Sequence, residues 1–293
     1  MRNDPEPDRG DPGTGTLSPG DLALGPVTLN VASPGEVSAF YEDAIGLERL
    51  DAGAETVLLG SRGRPLVELR EAAGAPPRPP GTTGLFHLAV LEPDRAALAS
   101  RLRRLLDAGV AIDGASDHLV SEAIYLRDPE GNGIEIYRDR PRSEWDWSGG
   151  EVAMATLPLD VASLLAEPDP GPAPEPLVLG HVHMNVSDLL AAVGFYTNVL
   201  GLDLTTGSYP GAAFVSAGGY HHHFGLNTWN GAGAPAPPAG ALGLAGLSAA
   251  VPDDGSLEAI AGRAREAGAP VEELPGGLVV TDPDGVALRL LAG

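Results

Sequence analysis

The feature that most restricts what this chain can fold into is an internal repeat. Leu29-Asn30-Val31 recurs as Met184-Asn185-Val186, Phe40-Tyr41 as Phe195-Tyr196, and Gly46-Leu47 as Gly201-Leu202, all at one constant offset. Asp128-Pro129-Glu130-Gly131 then recurs as Asp282-Pro283-Asp284-Gly285 at nearly the same offset. Unrelated stretches do not hold register over such a span. The chain reads as a duplication, and each half should fold as a copy of one unit.

Each half divides again. The first module has a strand at 27–31, a helix at 34–44 opened by Pro34 and ended by Gly46, and short strands near 55–59 and 65–70. After a proline-rich connection at 72–83, the second has a strand at 85–90, a helix at 95–107 ended by Gly109, and a hairpin pairing 123–127 with 134–138. The turn Asp128-Pro129-Glu130-Gly131-Asn132-Gly133 supplies the fixed φ, local capping and positive φ that a hairpin needs. Residues 177–229 repeat the first module and 241–291 the second. Single helices among several strands predict an α+β fold of four βαβββ modules in two tandem halves. The expected boundaries are a disordered tail at 1–23, an N-terminal domain at 24–140 (modules 24–71 and 84–140), a linker at 141–176 and a C-terminal domain at 177–293 (modules 177–230 and 241–293). Within the linker, the Pro-rich stretch 167–176 is the expected flexible boundary.

Composition narrows the chemistry. With 18 basic and 40 acidic residues the formal charge is −22, which argues against nucleic acid or an anionic membrane surface as partner. No run is long enough to span a membrane and the N-terminus lacks an apolar signal region, so a cytoplasmic protein is expected. There is no cysteine, which excludes disulfides, thiolate ligands and cysteine nucleophiles. A metal would be held by imidazole and carboxylate, a set that suits iron, manganese or zinc.

The duplication allows one half to be read against the other. His181 falls at the position of Pro26, His87 near Gly246, Tyr125 at Val279 and Glu135 at Arg289. Taken singly, a core imidazole is more often packing than ligand, and Glu135 between Ile134 and Ile136 could face solvent from a half-exposed strand. Together, two histidines and one carboxylate without a competing copy point to a facial triad: two neutral donors and one anion, with coordination positions left open. His221-His222-His223 is expected within a strand at 220–229, which would set His222 opposite His221 and His223. His183 shares the face of His181, and His118 enters the hairpin ahead of Tyr125. Either is open to a packing role.

These residues resemble the vicinal oxygen chelate superfamily, whose unit is a βαβββ module and whose paired modules cup a metal. The likeness runs from about Leu24 to the C-terminus. More narrowly, Asp117-His118, Tyr125, Asp128-Pro129-Glu130-Gly131-Asn132 and Glu135, with Gly180-His181-Val182-His183 and the stretch from Gly219 to Trp229, are similar to the two-domain extradiol ring-cleavage dioxygenases of catechol 2,3-dioxygenase type. The resemblance implies Fe(II), with Mn(II) left open, on His87, Glu135 and His181, and O2 as co-substrate for opening a small aromatic diol. It also implies Tyr125 and His222 as catalytic groups, with His118, His183 and His223 at the substrate. A one-residue slip would exchange His222 and His223. The fourth module lacks every ligand, so the site is expected between the second and third modules, across the halves. A homo-oligomer is left open, as are two other activities of the same cup: a glyoxalase-type lyase or isomerase, and a metal-free small-molecule binder.

Overall fold

The computed structural model describes residues 22–53, 55–169, 171 and 176–293. The expected modules are present, and their caps show why these segments start and stop where they do. Asp94 opens the helix Arg95–Asp107 by accepting from Ala97 N at 2.8 Å, and Asp253 opens the matching helix Asp254–Glu266 through Ser256 N at 2.8 Å. The first helix of each half departs from the sequence expectation. Pro34–Phe40 widens into a π turn at Tyr41–Ile45, and Leu189–Gly194 does the same at Phe195–Val199. The deviation is itself duplicated, and it buries Tyr41 and Tyr196 of the repeated Phe-Tyr pairs.

The two Asp-Pro turns are built alike. Asp128 Oδ1 accepts from Glu130 N and Asn132 N, both at 2.9 Å; Asp282 Oδ1 accepts from Asp284 N at 2.9 Å and Val286 N at 2.8 Å. Each turn also clamps the start of the first helix in its own half. The Glu130 carboxylate takes Ala32 N and Ser33 N, both at 2.9 Å, and Asp284 Oδ2 takes Ser187 N at 3.1 Å.

The sheets cross between the halves. One sheet joins the first module to the fourth, with Val27–Val31 antiparallel to Gly243–Val251 at its centre. The other joins the second to the third, with Gly84–Leu91 antiparallel to Val178–Asn185 at its centre. One apolar core, from Leu29 and Leu69 through Leu88 and Val182 to Leu288, is shared by all four modules. Each sheet therefore takes two modules from opposite halves, while the turn-to-helix clamps tie the two modules of each half to one another.

Two stretches carry more structure than the sequence suggested. Most of the expected tail lies outside the described residues, but Ala23–Leu24 is a short strand paired with Ala249 and Ala250. In the segment 141–176, Leu157–Pro158 adds a strand against Ser116 and Asp117, and Asp160 caps the helix Val161–Leu165 that buries Leu164. Part of the Pro-rich stretch 167–176 lies outside the described residues.

Candidate metal centre

The site follows from strand register. Gly133–Asp139 runs parallel to Gly84–Leu91 with Glu135 beside Ala89, and antiparallel to Ser121–Arg127 with Glu135 opposite Tyr125. Across the central pair, His183 faces His87 and His181 faces Ala89. Side chains alternate along each strand, so His87, Tyr125, Glu135, His181 and His183 emerge on one face. Glycines make room beneath them. A Cβ on Gly225 would lie 2.8 Å from the His183 ring, and one on Gly180 would lie 1.8 Å from the Tyr137 hydroxyl.

On that face His87, Glu135 and His181 are all buried, and one ligand atom from each lies within 4.8 Å of the other two. His87 Nε2 approaches Glu135 Oε2 to 2.8 Å and His181 Nε2 approaches it to 3.2 Å. Yet His87 Nε2 makes no hydrogen bond: it is close to the carboxylate without the angle to use it. Burial works against a charge on Glu135, but the His181 and His87 imidazoles outweigh it and hold the carboxyl well below the usual range. Burial also lowers His181 to about 4, against the pull of Glu135, so this imidazole is a neutral donor at neutral pH. Two imidazole nitrogens and one carboxylate converging with an unsatisfied nitrogen among them fit a divalent cation of imidazole-and-carboxylate preference. Among the described residues this is the single group of three such side chains placed to hold one.

The donors form the floor of a cavity of about 360 Å³ with Phe86, Tyr209, Phe214 and Trp229 among its walls. Tyr125 lines it, and its hydroxyl lies 2.5 Å from His118 Nε2. His118 Nδ1 lies 2.7 Å from the Ala155 carbonyl, which can only accept, so Nδ1 carries the proton and a neutral His118 receives the Tyr125 hydroxyl at Nε2. Burial, then the charge of Glu135, raises Tyr125 well above the ordinary phenol value. His222 also lines the cavity, with its ring 4.1 Å from that of His181, and burial pushes its imidazole well below the ordinary value. Burial, with His87 and His181 nearby, does the same to His183, whose Nε2 has no partner among the protein's own atoms.

Seven of the eight residues singled out from the sequence line this cavity; His223 does not. The three histidines precede the strand Phe224–Asn227 instead of lying in it, so strict alternation fails. His221 and His222 lie side by side, whereas His223 Nδ1 accepts from Ala217 N at 3.2 Å and lies 2.9 Å from Ser216 Oγ. His223 lines a separate cleft with Arg64, Arg142 and Tyr220, and the expected substrate role for it is withdrawn. Sequence reasoning missed Met154 and Thr156, which reach the cavity from the segment read as linker, and Tyr209, whose hydroxyl lies 2.7 Å from Thr156 Oγ1. Nothing in the local sequence marks these three.

A two-sheet shell of four βαβββ modules, with a histidine and carboxylate cup on one sheet, defines a class. The chain belongs to the Glyoxalase/Bleomycin resistance protein/Dioxygenase superfamily, whose profile matches residues 23–136 and 178–290. It is 42% identical over 272 residues to a Bacillus subtilis (strain 168) protein named catechol-2,3-dioxygenase, covering 90% of this chain and 94% of the relative. Among solved structures, a putative dioxygenase from B. subtilis strain 168 superposes with a TM-score of 0.64 at 15% identity, over 94% of this chain and 86% of that one. Glyoxalase I from Zea mays superposes at 0.59 with 18% identity, over 92% of each chain. At these identities the structural likenesses establish the fold alone.

Proposed function

We propose that this chain is an extradiol ring-cleavage dioxygenase that opens a catechol-type diol with O2. His87, Glu135 and His181 would hold one Fe(II), with Mn(II) the alternative ion. The observation that carries the reading is the company the three donors keep. They share a cavity with Tyr125, His118 and His222, groups suited to moving protons, and with an aromatic wall sized for a substituted ring. The 42% identical relative named catechol-2,3-dioxygenase supports it.

When bound, the metal would supply the electrophilic centre that favours the ionised diol and the site at which O2 is taken up. The chain's own residues do the rest. Phe86, Phe214 and Trp229 would hold the ring face and keep water out. His222 Nδ1 is occupied by His221, so Nε2 is the nitrogen left to take a proton from a substrate hydroxyl and return it later. Tyr125, held as a phenol by burial and by Glu135 and donating its proton to His118 Nε2, would accept a hydrogen bond from a substrate hydroxyl, with His118 behind it fixing the direction of the O–H.

The test is oxygen uptake and appearance of a coloured ring-opened product, using protein reconstituted anaerobically with Fe(II) and then given catechol, 3-methylcatechol or 4-methylcatechol in air. Turnover of at least one is expected. No uptake with any of them, together with turnover of methylglyoxal and glutathione on Zn(II) or Ni(II), would replace this reading with the lyase.

A further inference from the structure

The run His221-His222-His223 supplies one residue to the cavity, which leaves His221 without a role. Its position is specific. His221 is fully buried, its Nε2 lies 2.8 Å from Asp139 Oδ1, and its Nδ1 lies 2.7 Å from His222 Nδ1. The rings are also confined. Tyr220 lies 4.1 Å and Trp145 5.2 Å from the ring of His221, while His181 at 4.1 Å and Phe214 at 4.8 Å flank His222.

We propose that Asp139 and His221 are positioning residues that fix His222 in one tautomer, Nδ1 protonated and Nε2 bare toward the cavity. The hydrogen-bond arithmetic admits one solution for neutral rings. A carboxylate only accepts, so His221 must present its proton at Nε2. Its Nδ1 is then a lone pair, and the partner across 2.7 Å, His222 Nδ1, must be the donor. His222 has then spent its single proton away from the cavity, and its lone pair faces the substrate. The alternative tautomer would set two lone pairs against each other in a buried site and would offer the substrate an N–H where a base is needed. Asp139 is anchored on the sheet itself: it ends the strand that carries Glu135 and pairs with Ser121, so one strand positions both a proposed ligand and the base of the chain of contacts. The second module thus orients a catalytic group supplied by the third. The catalytic consequence rests on the ring-cleavage reading; the tautomer does not.

Histidine ¹⁵N NMR on the apo and Zn(II)-loaded protein reads the tautomers directly. His222 is expected with its proton on Nδ1 and His221 with its proton on Nε2. His221→Phe removes the acceptor while keeping the ring volume, and should mix or invert the His222 pattern. In the Fe(II) enzyme it should lower kcat by about 10- to 1000-fold with KM within about twofold, because a mis-set tautomer removes the base without removing the binding site. Asp139→Asn, which can present an N–H to His221, should shift both rings in the same sense by a smaller fraction, and it carries the test if the phenylalanine variant does not fold. A wild-type His222 protonated on Nε2 overturns the proposal whatever the activity, as do two folded variants with unchanged nitrogen shifts and unchanged kcat. The expected tautomers with no ring cleavage by any form would leave the relay standing and remove the ring-cleavage reading.

Discussion

The two sheets are the same construction with opposite contents. In one, Tyr125 pairs with Glu135 and His87 faces His183; in the other, Val279 pairs with Arg289 and Gly246 faces Thr28. Strand pairing, the Asp-Pro turns and the aspartate caps of the two longer helices coincide, yet Arg289 is exposed where Glu135 is buried, and Thr28 spends its hydroxyl on Glu68 at 3.1 Å. Backbone geometry is therefore shared and gives neither sheet its chemistry. A handful of side chains on one face does, which is the sense in which function is grafted on a fold.

The comparison breaks most visibly at the metal. Glu135→Gln should reduce bound Fe(II) from about one equivalent per chain to near zero, since the anion of a buried donor set is lost, whereas Arg289→Gln should leave it unchanged. Elemental analysis after anaerobic loading decides this; two equivalents in the parent protein would show that the silent sheet is not silent. Next in size, His222→Phe and Tyr125→Phe should each bind iron and lower kcat by about two to four orders of magnitude, while Val279→Ala on the twin face does nothing to turnover. Steady-state oxygen uptake reads both.

A smaller contrast lies under the sheets. Gly180→Ala would set a Cβ 1.8 Å from the Tyr137 hydroxyl, but Gly25, its counterpart, would meet Ser248 Cβ at 3.1 Å. Urea unfolding should show a loss of about 1–3 kcal/mol for the first and less than about 1 kcal/mol for the second. The smallest effect concerns pH. Burial raises Asp282 to about 6 from its ordinary 3.8. A raised carboxyl contributes stability that is present below the unfolded value and lost as pH rises through the folded one, so the window is about pH 4 to 6. Asp282→Asn should flatten the stability curve there by about 1–2 kcal/mol; an unchanged curve would show that the turn carboxylate is ionised throughout.

Much of this organisation was legible in the sequence because repetition is visible without contacts. Matching motifs aligned the halves, and that alignment placed His87, Glu135 and His181 against Gly246, Arg289 and Pro26, with a register the strand pairs reproduce. What escaped depends on departures from periodicity or on distant pairing. The three histidines were read at period two, but they sit in an irregular approach to the strand Phe224–Asn227, so His221 turned toward Asp139 and His223 away from the cavity. Met154 and Thr156 carry no local signal. They reach the site because Leu157–Pro158 adds an edge strand, which only the folded sheet reveals.

The crossed sheets also set an order of assembly during synthesis. The sheet that carries the donors has its central partners once the strand Phe224–Asn227 has been made, while Val27–Val31, made near the start, must wait for its central partner Gly243–Val251. A loop spanning most of the chain is therefore closed late, and an early strand keeps an open edge through most of synthesis. His87, Glu135, His181 and His222 all precede residue 230, so the whole proposed donor set is synthesised before the strands that complete the other sheet.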